Sequence, residues 1–214
     1  AQVFHFRASV CYNRRMPFII AGLGNPGEEY DNTRHNTGRI VLDVIRKELK
    51  ADDFKLEKRL NAQVTEAKIK NEKVMLIAPD TFMNNSGKSL APLIKNAKSA
   101  EKLLVIYDDF QLPIGRMKIS YNKSSGGHNG LESVIKSVKT EAFPRLRIGT
   151  APAKANGDAK IPHGEEKVEK FILGDFKDDE LKTIKKLGKK AAEVIDIWIR
   201  EGRDKATGVA NTQE

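Results

Sequence analysis

His35, set within Thr33-Arg34-His35-Asn36, is the side chain in this sequence best suited to taking a proton from water. A neutral imidazole titrates near the working pH, which general-base chemistry requires. A polar residue entering a helix serves equally well to satisfy backbone groups. Asp108 holds the ring in one tautomer if folding brings its strand end to that helix entry; otherwise Asp108 or its neighbour Asp109 caps a turn. Asn84 and Asn129 carry amide N–H donors that stabilise a carbonyl oxygen becoming negative, a contribution of roughly 10²–10³ in rate per donor. Each also reads as ordinary local structure, Asn84 as a helix cap and Asn129 as a turn residue. His128 is open in the same way, as a further donor or as loop packing. Asn25 sits in an Asn-Pro-Gly turn that turn chemistry alone explains.

These residues need a scaffold that gathers them. The apolar run Phe18 to Leu23 ends at Gly24-Asn25-Pro26-Gly27 and reads as a buried strand stopping at a tight turn. Ile40, Val41, Val44, Ile45 and Leu49 recur at helical spacing. Ala62 to Lys70 and Val74 to Ala78 form a hairpin around Asn71-Glu72. The stretch from Asn84 leads to a helix that begins near Ala91 or is kinked by Pro92. Leu103 to Tyr107 is the most apolar strand and ends on Asp108-Asp109, with a more alternating strand at Gly115 to Tyr121. Ser124 to Gly130 is a loop before a helix through Val134, Ile135 and Val138, and Leu146 to Thr150 is the last core strand. Ala151 to Glu166 has no periodicity and reads as a basic loop, a candidate lid. A long helix from Asp178 or Asp179, either suited to the N-cap, runs to Gly202, with a frayed tail beyond Gly208. The pattern is α/β: one domain over residues 16–214, a mixed twisted sheet flanked by helices, with ligands expected beyond strand ends such as Asn25 and Asp108.

The chain has 214 residues and a formal charge of +9. Three of those charges, Arg7, Arg14 and Arg15, lie in residues 1–15, leaving +6 on the remainder and favouring a polyanionic partner. Residues 1–15 precede Met16-Pro17 and read as an extension, from a tag, upstream translation or a targeting remnant, expected to be disordered. Cys11 is the single cysteine, which excludes an internal disulfide and a cysteine-based zinc site and fits the cytoplasm. No apolar run reaches the roughly 18 residues of a membrane helix. Gly22-x-Gly24-x-x-Gly27 has dinucleotide-fingerprint spacing, but Pro26, Glu28 and Glu29 disrupt and negatively charge the anion-binding helix start it would need. Lys118, Arg145 and Arg147 sit on or beside strands and fit phosphate contacts or a solvated face; Lys123, Lys154 and Lys160 add loop charge.

Taken together, Gly22-Leu23-Gly24-Asn25-Pro26-Gly27, Tyr30-x-x-Thr33-Arg34-His35-Asn36, Thr81-Phe82-Met83-Asn84-x-Ser86-Gly87, Asp108-Asp109, Gly127-His128-Asn129-Gly130 and Leu146-Arg147-Ile148-Gly149 closely resemble bacterial-type peptidyl-tRNA hydrolases. The resemblance spans Pro17 to about Thr207. It implies hydrolysis of the ester joining peptide to tRNA, without metal, cofactor or covalent intermediate; a cytoplasmic location and no membrane contact are expected from composition, and a monomer is the default. By position, it implies His35 as general base and Asp108 as its support, with Asn84 and Asn129 on the scissile carbonyl or the water. Asn25 would contact substrate near the ester, and Tyr30, Phe82, Met83 and His128 would shape the pocket. Lys118, Arg147 and, more weakly, Arg145 would meet tRNA phosphate. Asp109 stands where the family often has Glu, Phe110 where an aliphatic residue is usual, and Ser120 at a position often basic. Competing readings are a non-catalytic RNA-binding protein on the same scaffold, similar to the chloroplast splicing relatives, and a hydrolase of another small ester. The first lacks need of the whole polar set, and the second lacks need of the basic surface.

Overall fold

A computed structural model describes residues 16–212 of the chain; the expectations for residues 1–15, Cys11 included, lie outside the described residues. The first strand, β1 (Phe18–Gly22), is buried on both faces past its first residue, as its unbroken apolar run requires. Two single turns of tight helix, Glu28–Tyr30 and Arg34–Asn36, lead into α1 (Thr37–Glu48). A short edge strand β2 (Lys55–Glu57) then pairs with β3 (Ala62–Ile69), which forms the expected hairpin with β4 (Glu72–Pro79). The helix expected at Pro92 is replaced by a turn at Met83–Asn85, α2 (Gly87–Leu90) and α3 (Ala97–Ala100). Chain direction changes before the proline, whose ring and missing N–H bar it from a helix interior.

The central strand β5 (Leu103–Pro113) does not stop at Asp108-Asp109; it runs on through a register shift between Asp109 and Pro113. Then follow β6 (Met117–Tyr121), α4 (Asn129–Val138) and β7 (Pro144–Ala151). After them come α5 (Glu165–Ile172), α6 (Asp178–Glu201) and α7 (Arg203–Asn211). The cap residue of α6 is Lys177, not Asp178 or Asp179: the Glu180 carboxylate reaches back to accept the Lys177 N–H at 2.9 Å. The tail expected to fray beyond Gly208 is helical to Asn211, because Ala210, and Ala206 one turn before it, are buried in the core.

The sheet order is β2-β3-β4-β1-β5-β7-β6, parallel in its four central strands and antiparallel at both margins. One face packs against α1, α6 and α7 through Leu42, Ile106, Ile148, Ile184, Ile195 and Trp198. The other packs against α2 and α4 through Ile19, Val105, Leu90, Leu131 and Val134. This is the expected α/β layering of one domain. None of the helices among the described residues is long and apolar enough to cross a membrane.

Glycine brings α1 onto the sheet. A Cβ on Gly38 would lie 2.4 Å from the Ile106 carbonyl oxygen, and one on Gly22 would lie 2.4 Å from the Gly38 carbonyl oxygen. No side chain fits there, so the first turn of α1 presses directly on the end of β1 and the middle of β5. The residues just before α1 thereby come to rest beside the residues just after Tyr107.

Candidate active site

That contact sets His35 against Asp108. His35 Nδ1 lies 2.9 and 3.1 Å from the two carboxylate oxygens, and both residues are buried, 6% and 3% exposed. A carboxylate only accepts, so Nδ1 carries the proton and Nε2 keeps its lone pair. A second imidazole converges on the same carboxylate: His128 Nε2 is 2.9 Å from Asp108 Oδ1. Its tautomer is fixed from the far side, because His128 is the N-cap of α4 and its Nδ1 accepts the Leu131 N–H at 3.1 Å. Nε2 is therefore the donor to Asp108.

The electrostatics follow from this pairing. Burial works to lower the His35 pKa, but the Asp108 charge and its hydrogen bond outweigh burial and raise the pKa above the usual 6.5. Burial works to raise the Asp108 pKa, but the two imidazoles and their hydrogen bonds hold it well below the ordinary carboxylate range. Tyr107, whose ring meets His128 edge-on at 4.9 Å, has its pKa pushed up to about 12 by burial and the nearby Asp109 charge. It is a neutral wall. His35, Asp108 and His128 also bring metal-ligand atom types within 4.8 Å of one another. The nitrogens facing the carboxylate are proton donors here, however, an arrangement of hydrogen bonds and not of metal ligands.

A second chain of contacts places the asparagines. The Asn36 side chain grips the backbone of Asn25 at both ends, accepting its N–H at 2.8 Å and donating to its carbonyl at 2.9 Å. This holds the Asn-Pro-Gly turn against the His35 segment. The Asn25 side chain in turn accepts the Met83 N–H at 2.8 Å, which fixes the turn carrying Asn84. Met83 is buried, and a Cβ on Gly130 would meet its sulfur at 2.3 Å, so this turn rests on the head of α4 beside Asn129. Asn84 Oδ1 accepts from Asn85 Nδ2 at 3.2 Å, leaving the Asn84 amide N–H groups free for the cleft. Asn84 lies within its turn and does not cap a helix; Asn129 is the first residue of α4, at its partially positive end.

Asn25, His35, Met83, Asn84, Tyr107, Asp108, His128 and Asn129 line one open cleft of about 810 Å³, and Asn36 holds the Asn25 turn without lining it. Tyr30 and Phe82 stand at its mouth, and Phe82 is 60% exposed, an apolar surface facing solvent. Val168 and Ile172 of α5 and Leu173 just after it form another wall. The expected basic loop, 151–166, thus gives way to a helix from Glu165, and that helix contributes to the cleft. On the sheet margin Lys118 pairs directly with Arg147 across β6 and β7, so the two share a face. Lys118 is exposed, while Arg147 Nε donates to Asp109 at 2.6 Å. Asp109 also accepts the Gln111 N–H at 2.8 Å, the local bond by which an Asp side chain caps a turn, so it serves both Arg147 and the irregular stretch of β5.

Arg145 departs from expectation. It is fully buried, and its guanidinium donates to the Ser124 carbonyl at 2.9 Å and the Glu141 carbonyl at 3.1 Å, over the Phe143 ring. Both its Nη atoms are engaged by backbone carbonyls, its Nε has no hydrogen-bond partner, and with no exposed surface it braces the loop before α4 from beneath the cleft. Strand alternation conceals this, because Arg145 and Arg147 share one face and differ only in distance from the sheet end. Asn36 and the second role of His128 were missed as site-building residues. The Thr-Arg-His-Asn and Gly-Gly-His-Asn-Gly runs carried both, but only the fold shows which atoms meet.

The family model described as peptidyl-tRNA hydrolase matches residues 19–214. A peptidyl-tRNA hydrolase of Desulfitobacterium hafniense is 39% identical over 194 residues, covering 90% of this chain and 98% of its own. One of Aquifex aeolicus is 40% identical over 197 residues, covering 92% and 97%. Among solved structures, the peptidyl-tRNA hydrolase of Acinetobacter baumannii superposes with a TM-score of 0.82 at 26% identity, covering 94% of this chain and 99% of that one.

Proposed function

Because the chain belongs to the peptidyl-tRNA hydrolase family and hydrolyses peptidyl-tRNA, we propose that it does so by His35-assisted attack of water on the ester. His35 Nε2 takes a proton from a water held in the cleft, and the resulting hydroxide adds to the ester carbonyl carbon. The carbonyl oxygen becomes negative and receives N–H groups from Asn84 and Asn129. The tetrahedral species then collapses: the bond to the ribose oxygen breaks, and that oxygen takes the proton from His35, leaving free peptide acid and tRNA. Asp108 stabilises the imidazolium that exists between those two proton transfers. No side chain becomes acylated, and no metal or cofactor takes part.

The observation that carries this reading is the pairing of His35 Nδ1 with a buried carboxylate, which leaves Nε2 as the free basic atom at the cleft. General-base help of about 10²–10⁴, with positioning and oxyanion stabilisation added, is sufficient for an activated ester. Asn25 contacts the substrate near the ester, Tyr30, Phe82, Met83 and His128 shape the pocket, and Lys118 and Arg147 meet tRNA phosphate. The enzyme works as a monomer in the cytoplasm, clear of membranes, where its substrate arises during translation.

The test is release of N-acetyl-amino acid from N-acetyl-aminoacyl-tRNA at saturating substrate, comparing the unaltered protein with His35→Ala. A fall of at least about 10²-fold is expected. Equal turnover would discard the base, and tRNA binding without turnover in either protein would move the reading to an RNA-binding scaffold. Free aminoacyl-tRNA should be cleaved more slowly than the N-blocked form, and added salt should weaken binding.

A further inference from the structure

Arg34 immediately precedes the proposed base but points away from the cleft, into a cage that the hydrolytic steps do not use. Its Nη1 donates to the carbonyls of Gly174 at 3.1 Å and Asp175 at 2.7 Å, and its Nη2 donates to Glu180 at 2.8 Å. The guanidinium lies over Phe171 at 4.7 Å and within 5.3 Å of Phe176. The backbone adds a second layer of ties. Arg34 N–H donates to the Gly174 carbonyl at 3.1 Å, Phe176 N–H donates to the Asn32 carbonyl at 2.9 Å, and Thr33 and Asp175 form an isolated antiparallel bridge.

The segment so gripped, residues 174–176, is the joint between α5 and α6. Helix α5 has no buried residue, so little packing of its own holds it, yet its Val168 and Ile172, with Leu173 just after it, form a wall of the cleft. Its Phe171 lies under the Arg34 guanidinium. One side chain therefore touches the wall helix, its joint and the first turn of α6, while its own backbone enters the turn that carries His35. The task needs arginine: a planar fork reaches two carbonyls and a carboxylate and stacks on rings, and an ammonium does not. Stability alone does not call for such a buried ion pair, since apolar residues of similar volume serve as well.

We propose that Arg34 is a positioning residue that locks the α5 wall and the His35 turn into one unit, so that the wall met by the substrate and the aim of the base are set together. This rests on the reading of His35 as general base. A shift of about 1 Å in a reacting group can reduce turnover 10²-fold, so loosening the cage acts on kcat and leaves tRNA affinity, made elsewhere, largely intact. It also weakens the grip of Asp108 on His35. The titratable groups facing His35 are Asp108 from β5 and His128 from the head of α4, 5.0 Å away ring to ring. With Asp108 less well aligned, burial gains weight, and the acid limb of kcat moves to lower pH.

The experiment measures kcat, KM and the acid limb for Arg34→Lys, Arg34→Ala and Glu180→Gln on N-acetyl-aminoacyl-tRNA, with His35→Ala alongside. Lysine in place of Arg34 should lower kcat by about 10-fold or more with KM changed less than about 3-fold, and should shift the acid limb downward. Guanidinium ion at sub-denaturing concentration should restore part of the Arg34→Ala turnover, where sodium at equal ionic strength does not. If the alanine variant does not fold, the lysine and glutamine variants decide. An unchanged kcat and acid limb, or a kcat loss with neither limb shift nor guanidinium rescue, overturns the proposal. Full turnover by His35→Ala would instead strike the underlying reading of the base.

Discussion

Replacing Asp108 with asparagine tests the core of the site, because the change is nearly isosteric and its consequences differ for two imidazoles. Asp108 Oδ1 receives both His35 Nδ1 and His128 Nε2 at 2.9 Å, and Oδ2 lies 3.1 Å from His35 Nδ1. One amide oxygen can still accept, but the amide nitrogen then faces a ring N–H, donor against donor. A hydrogen bond to a charged group is worth about 1.5–3 kcal/mol, so losing the His35 bond alone lowers turnover roughly 10- to 150-fold at about 1.4 kcal/mol per decade. If the amide forces the other His35 tautomer, the proton moves to the atom that must take one from water, and the loss approaches the roughly 10⁴-fold seen for the same change in serine hydrolases. The assay is kcat for N-acetyl-aminoacyl-tRNA across pH. In the unaltered protein, activity is lost as pH falls through a His35 pKa raised above 6.5; in the variant, burial remains and its acid limb lies lower. Stability changes in a defined window. The depressed Asp108 pKa contributes stability above its ordinary 3.8, and the raised His35 pKa contributes stability below 6.5 that is lost as pH rises through the folded value. This is one interaction seen from two sides, so Asp108→Asn should destabilise more at about pH 5 than at about pH 8. A kcat within about 3-fold of the unaltered protein, with an unmoved acid limb, would refute the reasoning.

Other substitutions separate the remaining roles. Asn129→Ala or Asn84→Ala should each lower kcat by about 10²–10³-fold with a smaller effect on KM, as expected for a donor engaged when charge develops. Lys118→Ala should weaken tRNA binding at every sequence and reduce the dependence of log affinity on log salt by about one phosphate contact. Arg145→Ala should leave that salt slope unchanged and instead destabilise the fold by about 1–3 kcal/mol in denaturant titration, since the Ser124 and Glu141 carbonyls lose their donors. Gly149→Ala should also cost stability, because its new Cβ would lie 2.0 Å from the Pro113 carbonyl oxygen where β5 bulges over β7.

What was legible in the sequence followed from local chemistry. The apolar runs at Phe18 and Leu103, the helical stripe from Leu181 to Trp198 and the hairpin at Asn71-Glu72 each declare their own conformation, and the structure has all of them. What failed depended on distant partners. The tail past Gly208 looks polar enough to fray, yet Ala210, and Ala206 one turn before it, are buried by the rest of the domain. The residues gathered at the cleft share short motifs, but nothing local says that Asn36 ties down Asn25 or that Asp108 serves two histidines. Arg145 looks like Arg147 on paper, and only the depth of the strand end tells a brace from a surface cation.

The far margin of the sheet carries one more consequence. Strand β6 pairs with β7 on one side only, and on its open side Asn211 of α7 accepts the Ile119 N–H at 2.8 Å and donates to its carbonyl at 3.3 Å. A single side-chain amide thus plays the part of a missing strand, quenching the backbone groups through which an uncovered edge recruits a neighbouring chain. Shortening α7 would turn that margin into an adhesive seam beside Lys118, and the first symptom would be loss of solubility on storage, well before any loss of chemistry.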